Sequence, residues 1–360
     1  MKEQITGKQL AYLLLVFLMG GGATVGLRNA DRDSWIAYAL LMLLSAPVLY
    51  MYHRLAVLRA EYAADARGKT FERLSAAAAG VYGLAAVGMN ALMLDFFCDF
   101  LSSTALTHTS RLMPVVFMSV TVFILAVCRS DAAARICTVI FVLTLLFAVL
   151  ALAAALPQLD FGAVLPVFEN GVAGMTDALF TAAAMQLGFA FFPVTALAPA
   201  LKGKWGGYAV CGGAAACLIM TVHSARDIML LGYPLISLYR FPAYTAMEVV
   251  HVSELTQRLE MLTAIVYVMC QPVKAALCLR LLTNAAEKRR QGGRYAAAAA
   301  AVALAAGITM LIKNVDGYRI MRAARMPAII LLIALPAAYW AALELRRLLR
   351  KNKKTSPPFE

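Results

Sequence analysis

Lys274 carries more chemical consequence than any other residue in this sequence. It stands in CQPVKAALCLR, deep inside the apolar run Leu259–Leu282. A lysine at the centre of a bilayer costs at least about 2.5–3.5 kcal/mol on insertion scales, so it should face the interior of a helix bundle and have a partner there. One reading places its ammonium where a coupling cation would otherwise sit, which would remove the need for sodium. The other is snorkelling to an interface, for which position 274 is too central. Asp95 and Asp99 lie four residues apart, on one helix face, with Asn90 just before them. They form either a polar or proton-linked lining, or the wet end of a helix where carboxylates are cheap. The second reading suits Asp99, and Asp95 stays open between the two. In ALFTAAAMQLGFAFFPVTALAPAL, Gln186 is placed to hydrogen-bond a ligand or to satisfy backbone groups freed by a break. Phe189, Phe191 and Phe192 could wall an apolar pocket, although aromatic residues in such helices more often simply pack.

The remaining residue types argue against catalysis. There is no P-loop, HExxH or GxSxG pattern. His53, His108, His223 and His251 are isolated, without metal-ligand spacing. The seven cysteines sit almost entirely in apolar runs and read as reduced packing residues. The pair Asp95/Asp99 resembles the carboxylate pairs of membrane alcohol-phosphatidyltransferases, but the Asp-Gly and Ala-Arg elements expected upstream are missing. We therefore expect no enzyme, no metal and no cofactor.

The elements that must position these groups are membrane helices. The chain has 360 residues, 62% of them hydrophobic, with a mean hydropathy of +0.74. Soluble proteins have about 45–50% apolar residues. A net charge of +13 would suggest nucleic acid in a soluble protein, but here the positive-inside rule explains it better. Apolar runs predict ten spans, of which the first is not a removable signal peptide. They are Gln9–Leu27, Trp35–His53, a third from near Arg73 through Leu101, Leu112–Cys128, Ile136–Leu156, about Ala178–Leu201, Gly206–His223 with a possible extension to Leu231, Leu259–Leu282, Tyr295–Ile312 and Pro327–Leu349. With the N-terminus inside, 22 of the 33 Lys and Arg fall on the cytoplasmic side and 10 on the other. That split favours both termini in the cytoplasm. The basic tail reads as a topogenic anchor for lipid headgroups.

The first span, QLAYLLLVFLMGGGATVGL, organises the rest. Gly20, Gly21 and Gly22 fall in its middle, with Thr24 just after. Glycine in a helix interior costs roughly 1 kcal/mol relative to alanine, so this stretch predicts either an unwound backbone or the close packing of a neighbouring helix. The sixth span carries its own interruption, with Gly188 at the centre and Pro193 five residues on. Breaks at corresponding places in two halves are the best sequence pointer to a transporter binding site, and they favour the unwound reading. The expected fold is an all-α polytopic membrane protein, a five-plus-five inverted repeat with discontinuous helices 1 and 6. It forms one membrane domain over 1–360, with repeats at about 9–156 and 178–349 and a basic tail at 350–360.

Longer stretches carry a family resemblance. YPLISLYRFPAYTAMEVVHVSELTQRLEMLTAIVYVMCQPVKAALCL resembles the endospore germination permease family, the B-type subunits of nutrient germinant receptors. In that family a YP/FP-L-x-SL-x-R segment leads into a QRL[DE] turn and a long helix with a central lysine, matched here by Gln257, Arg258, Leu259, Glu260 and Lys274. The opening ITGKQ and glycine-rich first helix fit as well, as does a D-x-W entrance at Asp33 and Trp35. The family is similar to amino-acid/polyamine/organocation transporters. The resemblance implies a small-molecule site between spans 1 and 6, with the amides of Gly20–Gly22 receiving a ligand carboxylate and carbonyls near Gln186–Phe189 its ammonium. The break MQLGFAFFP holds no acidic residue, so an apolar amino acid suits it better than a cationic one. A multi-pass location in the spore inner membrane or cell membrane, with A-type and C-type receptor subunits as partners, is also what the resemblance implies. The other reading of the same scaffold is an amino-acid transporter.

Overall fold

The computed structural model describes residues 4–22, 31–65, 69–104, 108–168, 171–233, 235–250 and 258–355. Among these there is no strand, only an isolated bridge between Ile5 and Leu201. Hydrocarbon offers no partner for exposed peptide groups, so the apolar runs close their hydrogen bonds within themselves as helices. In chain order the helices are α1 (Gly7–Gly22), α2 (Ser34–Asp65), α3 (Lys69–Thr104), α4 (Leu112–Val127), α5 (Ser130–Ala155), α6 (Gly171–Ala182), α7 (Phe191–Leu197), α8 (Gly206–Leu231), α9 (Leu235–Leu238), α10 (Pro242–Glu248), α11 (Glu260–Arg289), α12 (Gly293–Leu311), α13 (Gly317–Ile329) and α14 (Leu335–Thr355). π-helical turns at Ala183–Gly188 and Ile330–Ala334 lie between α6 and α7 and between α13 and α14. Eight helical stretches are long and apolar enough to cross a membrane, and α1 and α4 are shorter apolar helices. Every predicted span therefore has its helix.

Two differences in extent have simple causes. Span 2 runs to Asp65, well past His53, because strong helix formers continue after hydropathy falls. Span 10 starts at Gly317 instead of Pro327. The arginines at 319 and 322 look like loop in sequence, but they occupy the exposed face of α13 while Tyr318 and Met321 are buried. Asp316 caps that helix, accepting from the Tyr318 N–H at 3.1 Å.

α1 is the axis of the bundle. Leu10, Leu13, Leu14, Val16, Phe17 and Leu18 are all at most 1% exposed, and a helix apolar on every side is a buried one. It packs against α8, α11 and α5. A capping box starts it, in which Thr6 Oγ1 accepts from the Gln9 N–H (3.3 Å) and Gln9 Oε1 accepts from the Thr6 N–H (3.0 Å). Just before it, the Ile5 N–H donates to Ala200 O at 2.9 Å, joining the start of span 1 to the end of span 6. By contrast, α4 and α5 turn Val116, Phe117, Val120, Val139, Val142 and Val149 outward, the faces a bilayer would cover.

Candidate functional site

Span 6 breaks where Gln186 and Gly188 stand. α6 ends at Ala182, the π turn follows, Phe189 and Ala190 form a turn, and α7 resumes at Phe191. Ala190 N–H donates to Gln186 O at 3.2 Å. A π turn holds an extra residue and disturbs the regular ladder, and such turns concentrate at functional sites. Pro193, in the first turn of α7, has no N–H to continue it. Gln186 is 3% exposed and Phe189 5%, so the break is enclosed within protein.

Lys274, on α11, meets this break. It is 1% exposed. Its ammonium donates to Met185 O at 3.2 Å and to Gln186 Oε1 at 3.3 Å, and it lies 5.4 Å from the centre of the Phe17 ring on α1, a cation–π distance. Lys274 thus links spans 1, 6 and 8. Among the described residues none of its partners is a carboxylate. Gln186 Nε2 also points to Met220 Sδ on α8 at 3.7 Å.

The three glycines are the last residues of α1. Gly20 is a close-approach position, since a Cβ there would lie 2.9 Å from Cys270 O on α11. Gly21 and Gly22 end the helix. A helix C-terminus presents unpaired carbonyls and the negative end of its dipole, so the described part of span 1 ends in acceptors rather than amide donors. Thr24 lies outside the described residues. Gly188 sits against span 10, where its Cβ would be 3.5 Å from that of Leu332.

Asp95 belongs to a different network. It is 1% exposed and ion-pairs with Arg111, which also binds Asp99 at 2.7 Å. Asp99 pairs in turn with Arg240, and Arg240 lies 3.9 Å from Asp316. This cluster ties the end of α3, the start of α4, the segment before α10 and the cap of α13. The structure does not bring Asp95 to Lys274. The Asp95 Oδ2 has no hydrogen-bond partner and lies under Gly317, where a Cβ would come within 2.6 Å of it.

Several participants were not singled out in the sequence. Phe17 lies one turn before Gly20. Gln271, fully buried one turn from Lys274, donates to Tyr267 Oη at 2.8 Å, while its Oε1 has no partner. Asn90, which the sequence offers only beside Asp95, reaches from α3 to Ala275 O at 3.1 Å. Tyr52 on α2 is 0% exposed, and its hydroxyl lies 2.8 Å from Leu332 O and 3.2 Å from Leu187 O. Only the apolar context of Tyr52, whose hydroxyl must find a partner when buried, could have drawn notice to it.

An enclosed break in one helix thus meets a buried cation from another, within a multi-pass membrane protein. The family described as Spore germination protein matches residues 4–285, and the chain belongs to that family. Among solved structures it is similar to MhsT in complex with L-phenylalanine, with a TM-score of 0.56 and 17% identity, covering 95% of this chain and 89% of that one. That likeness shows the LeuT-type fold. No curated protein matches the chain in sequence.

Proposed function

We propose that the chain is the integral membrane subunit of a spore germinant receptor, which binds a small nutrient amino acid and triggers germination together with A-type and C-type subunits. The observation that supports this most is the Lys274 node, a buried cation joining spans 1, 6 and 8 at the break. In this reading Lys274 stands in for a coupling cation. The carbonyls at the end of α1 and around Gln186–Phe189 receive the ligand ammonium. Thr24 is the proposed span 1 contact for its carboxylate. Phe189 and Phe192, with rings 6.1 Å apart, give the site its preference for an apolar side chain. Binding would shift a two-state equilibrium that the partner subunits read. The protein would lie in the spore inner membrane with both termini cytoplasmic, placing the Asp99–Arg111–Arg240 cluster on the outer side.

The test is binding of each of the twenty radiolabelled amino acids to the protein in lipid nanodiscs, with sodium and with choline as the salt. Saturable binding of an apolar amino acid, equal in both salts, is expected. Absence of binding across the panel would sink the reading. The transporter fold keeps a second reading in play, an amino-acid permease. Proteoliposomes separate the two, because a permease accumulates or exchanges label across the membrane and a sensor binds it without flux.

A further inference from the structure

Both π turns among the described residues, Ala183–Gly188 in span 6 and Ile330–Ala334 in span 10, meet at one side chain. Each disturbs the regular ladder locally, and the two lie side by side at Gly188 and Leu332. The hydroxyl of Tyr52 stands between them, 2.8 Å from Leu332 O and 3.2 Å from Leu187 O. A phenol has one proton to donate, so the two carbonyls share it. A second tyrosine makes an internal contrast. Tyr82 Oη donates to Leu331 O at 3.1 Å, the neighbouring carbonyl of the same span 10 turn, and among the described residues makes no such bond to span 6. The two rings pack on α7 through Phe191, with centroids 5.5 Å away for Tyr52 and 4.7 Å for Tyr82.

We propose that Tyr52 is a positioning residue that joins the two breaks into one moving unit, so that a change at the span 6 site is passed to span 10. While the turns are adjacent, both carbonyls draw on the same proton. When a ligand donor takes Leu187 O, the proton goes wholly to Leu332 O, and span 10 registers the occupancy of span 6. The relay rests on the ligand-site reading above, but the clamp itself is a property of the unliganded chain. A ligand-free experiment therefore separates failure of the clamp from failure of the site.

The experiment is hydrogen–deuterium exchange on the full chain in lipid nanodiscs, comparing wild type with Tyr52→Phe and Tyr82→Phe. Loss of one buried hydrogen bond should speed exchange about fivefold. In Tyr52→Phe that acceleration is expected in peptides covering 186–192 and 331–337 together, with α5 and α12 unchanged as references. Tyr82→Phe should accelerate 331–337 alone. Acceleration of only one segment in Tyr52→Phe, of neither, or the same pattern in both variants, overturns the proposal. Should Tyr52→Phe fail to fold, wild type carries the test over a temperature series. One shared opening equilibrium for the two segments supports the clamp, and two diverging ones overturn it.

Discussion

Lys274 and Asp95 are both ionisable, both 1% exposed and both on long helices that pack against each other, yet their surroundings differ. Asp95 sits in a chain of alternating charge, with Arg111, Asp99, Arg240 and Asp316 following one another to the end of the bundle. Lys274 has two carbonyl-type oxygens and a ring face, and no carboxylate among the described residues. A charge matched by opposite charges holds elements together. One held only by dipoles keeps an unspent attraction for an anion, because dipoles offset its desolvation incompletely. In the proposed reading Asp95 serves architecture and Lys274 serves ligand recognition.

Replacing Lys274 should have the largest effect. Lys274→Met is expected to lower amino-acid binding by at least about tenfold, since hydrogen bonds to charged groups are worth roughly 1.5–3 kcal/mol. Thermal stability should hold or rise, because a buried lysine costs about 2.5–3.5 kcal/mol to insert. Paired binding and melting measurements check this, and a variant that unfolds while its residual folded fraction binds normally would reverse the assignment. Asp95→Asn should do the opposite. It should cost about 2–3 kcal/mol of stability, less than a fully buried pair because Arg111 is 23% exposed, and change affinity less than about threefold. A large affinity loss at unchanged stability would merge the two regions into one site.

Gly20→Ala tests the seam between α1 and α11. Its methyl would meet Cys270 O at 2.9 Å, and overpacking of this kind costs about 1–3 kcal/mol, read as a lower melting temperature. A neutral outcome would mean that the helices separate freely there. Arg240→Ala should have the smallest effect, under about 1 kcal/mol and fading with salt, because the arginine is 42% exposed. Melting curves at low and high ionic strength check it, and a salt-independent loss would show the cluster to be drier than its geometry implies.

Much of the site could be read before any coordinates. Gly188 and Pro193 mark the span 6 break because one favours unwinding and the other lacks a donor, and both effects are local. Lys274 announced itself by its cost in hydrocarbon. Tyr52 did not, since a tyrosine in an apolar run satisfies its hydroxyl in many ways and only the approach of spans 6 and 10 shows which. Gly20 looked like a place for unwinding, and the structure gives it close packing against Cys270. That distinction depends on a neighbour some 250 residues away in the chain.

By itself the sequence determined that this is a helical membrane protein with ten apolar helices, an interruption in span 6 and one lysine needing a buried partner. These follow from hydropathy, helix propensity and the cost of charge in hydrocarbon, each acting over a turn or two of chain. The tertiary structure alone decided that Lys274 bonds to span 6 and stacks on Phe17, that Asp95 turns to Arg111, and that one tyrosine stands between two π turns. Those outcomes depend on which helix faces which, set by close packing of distant segments and the need to satisfy every buried polar group.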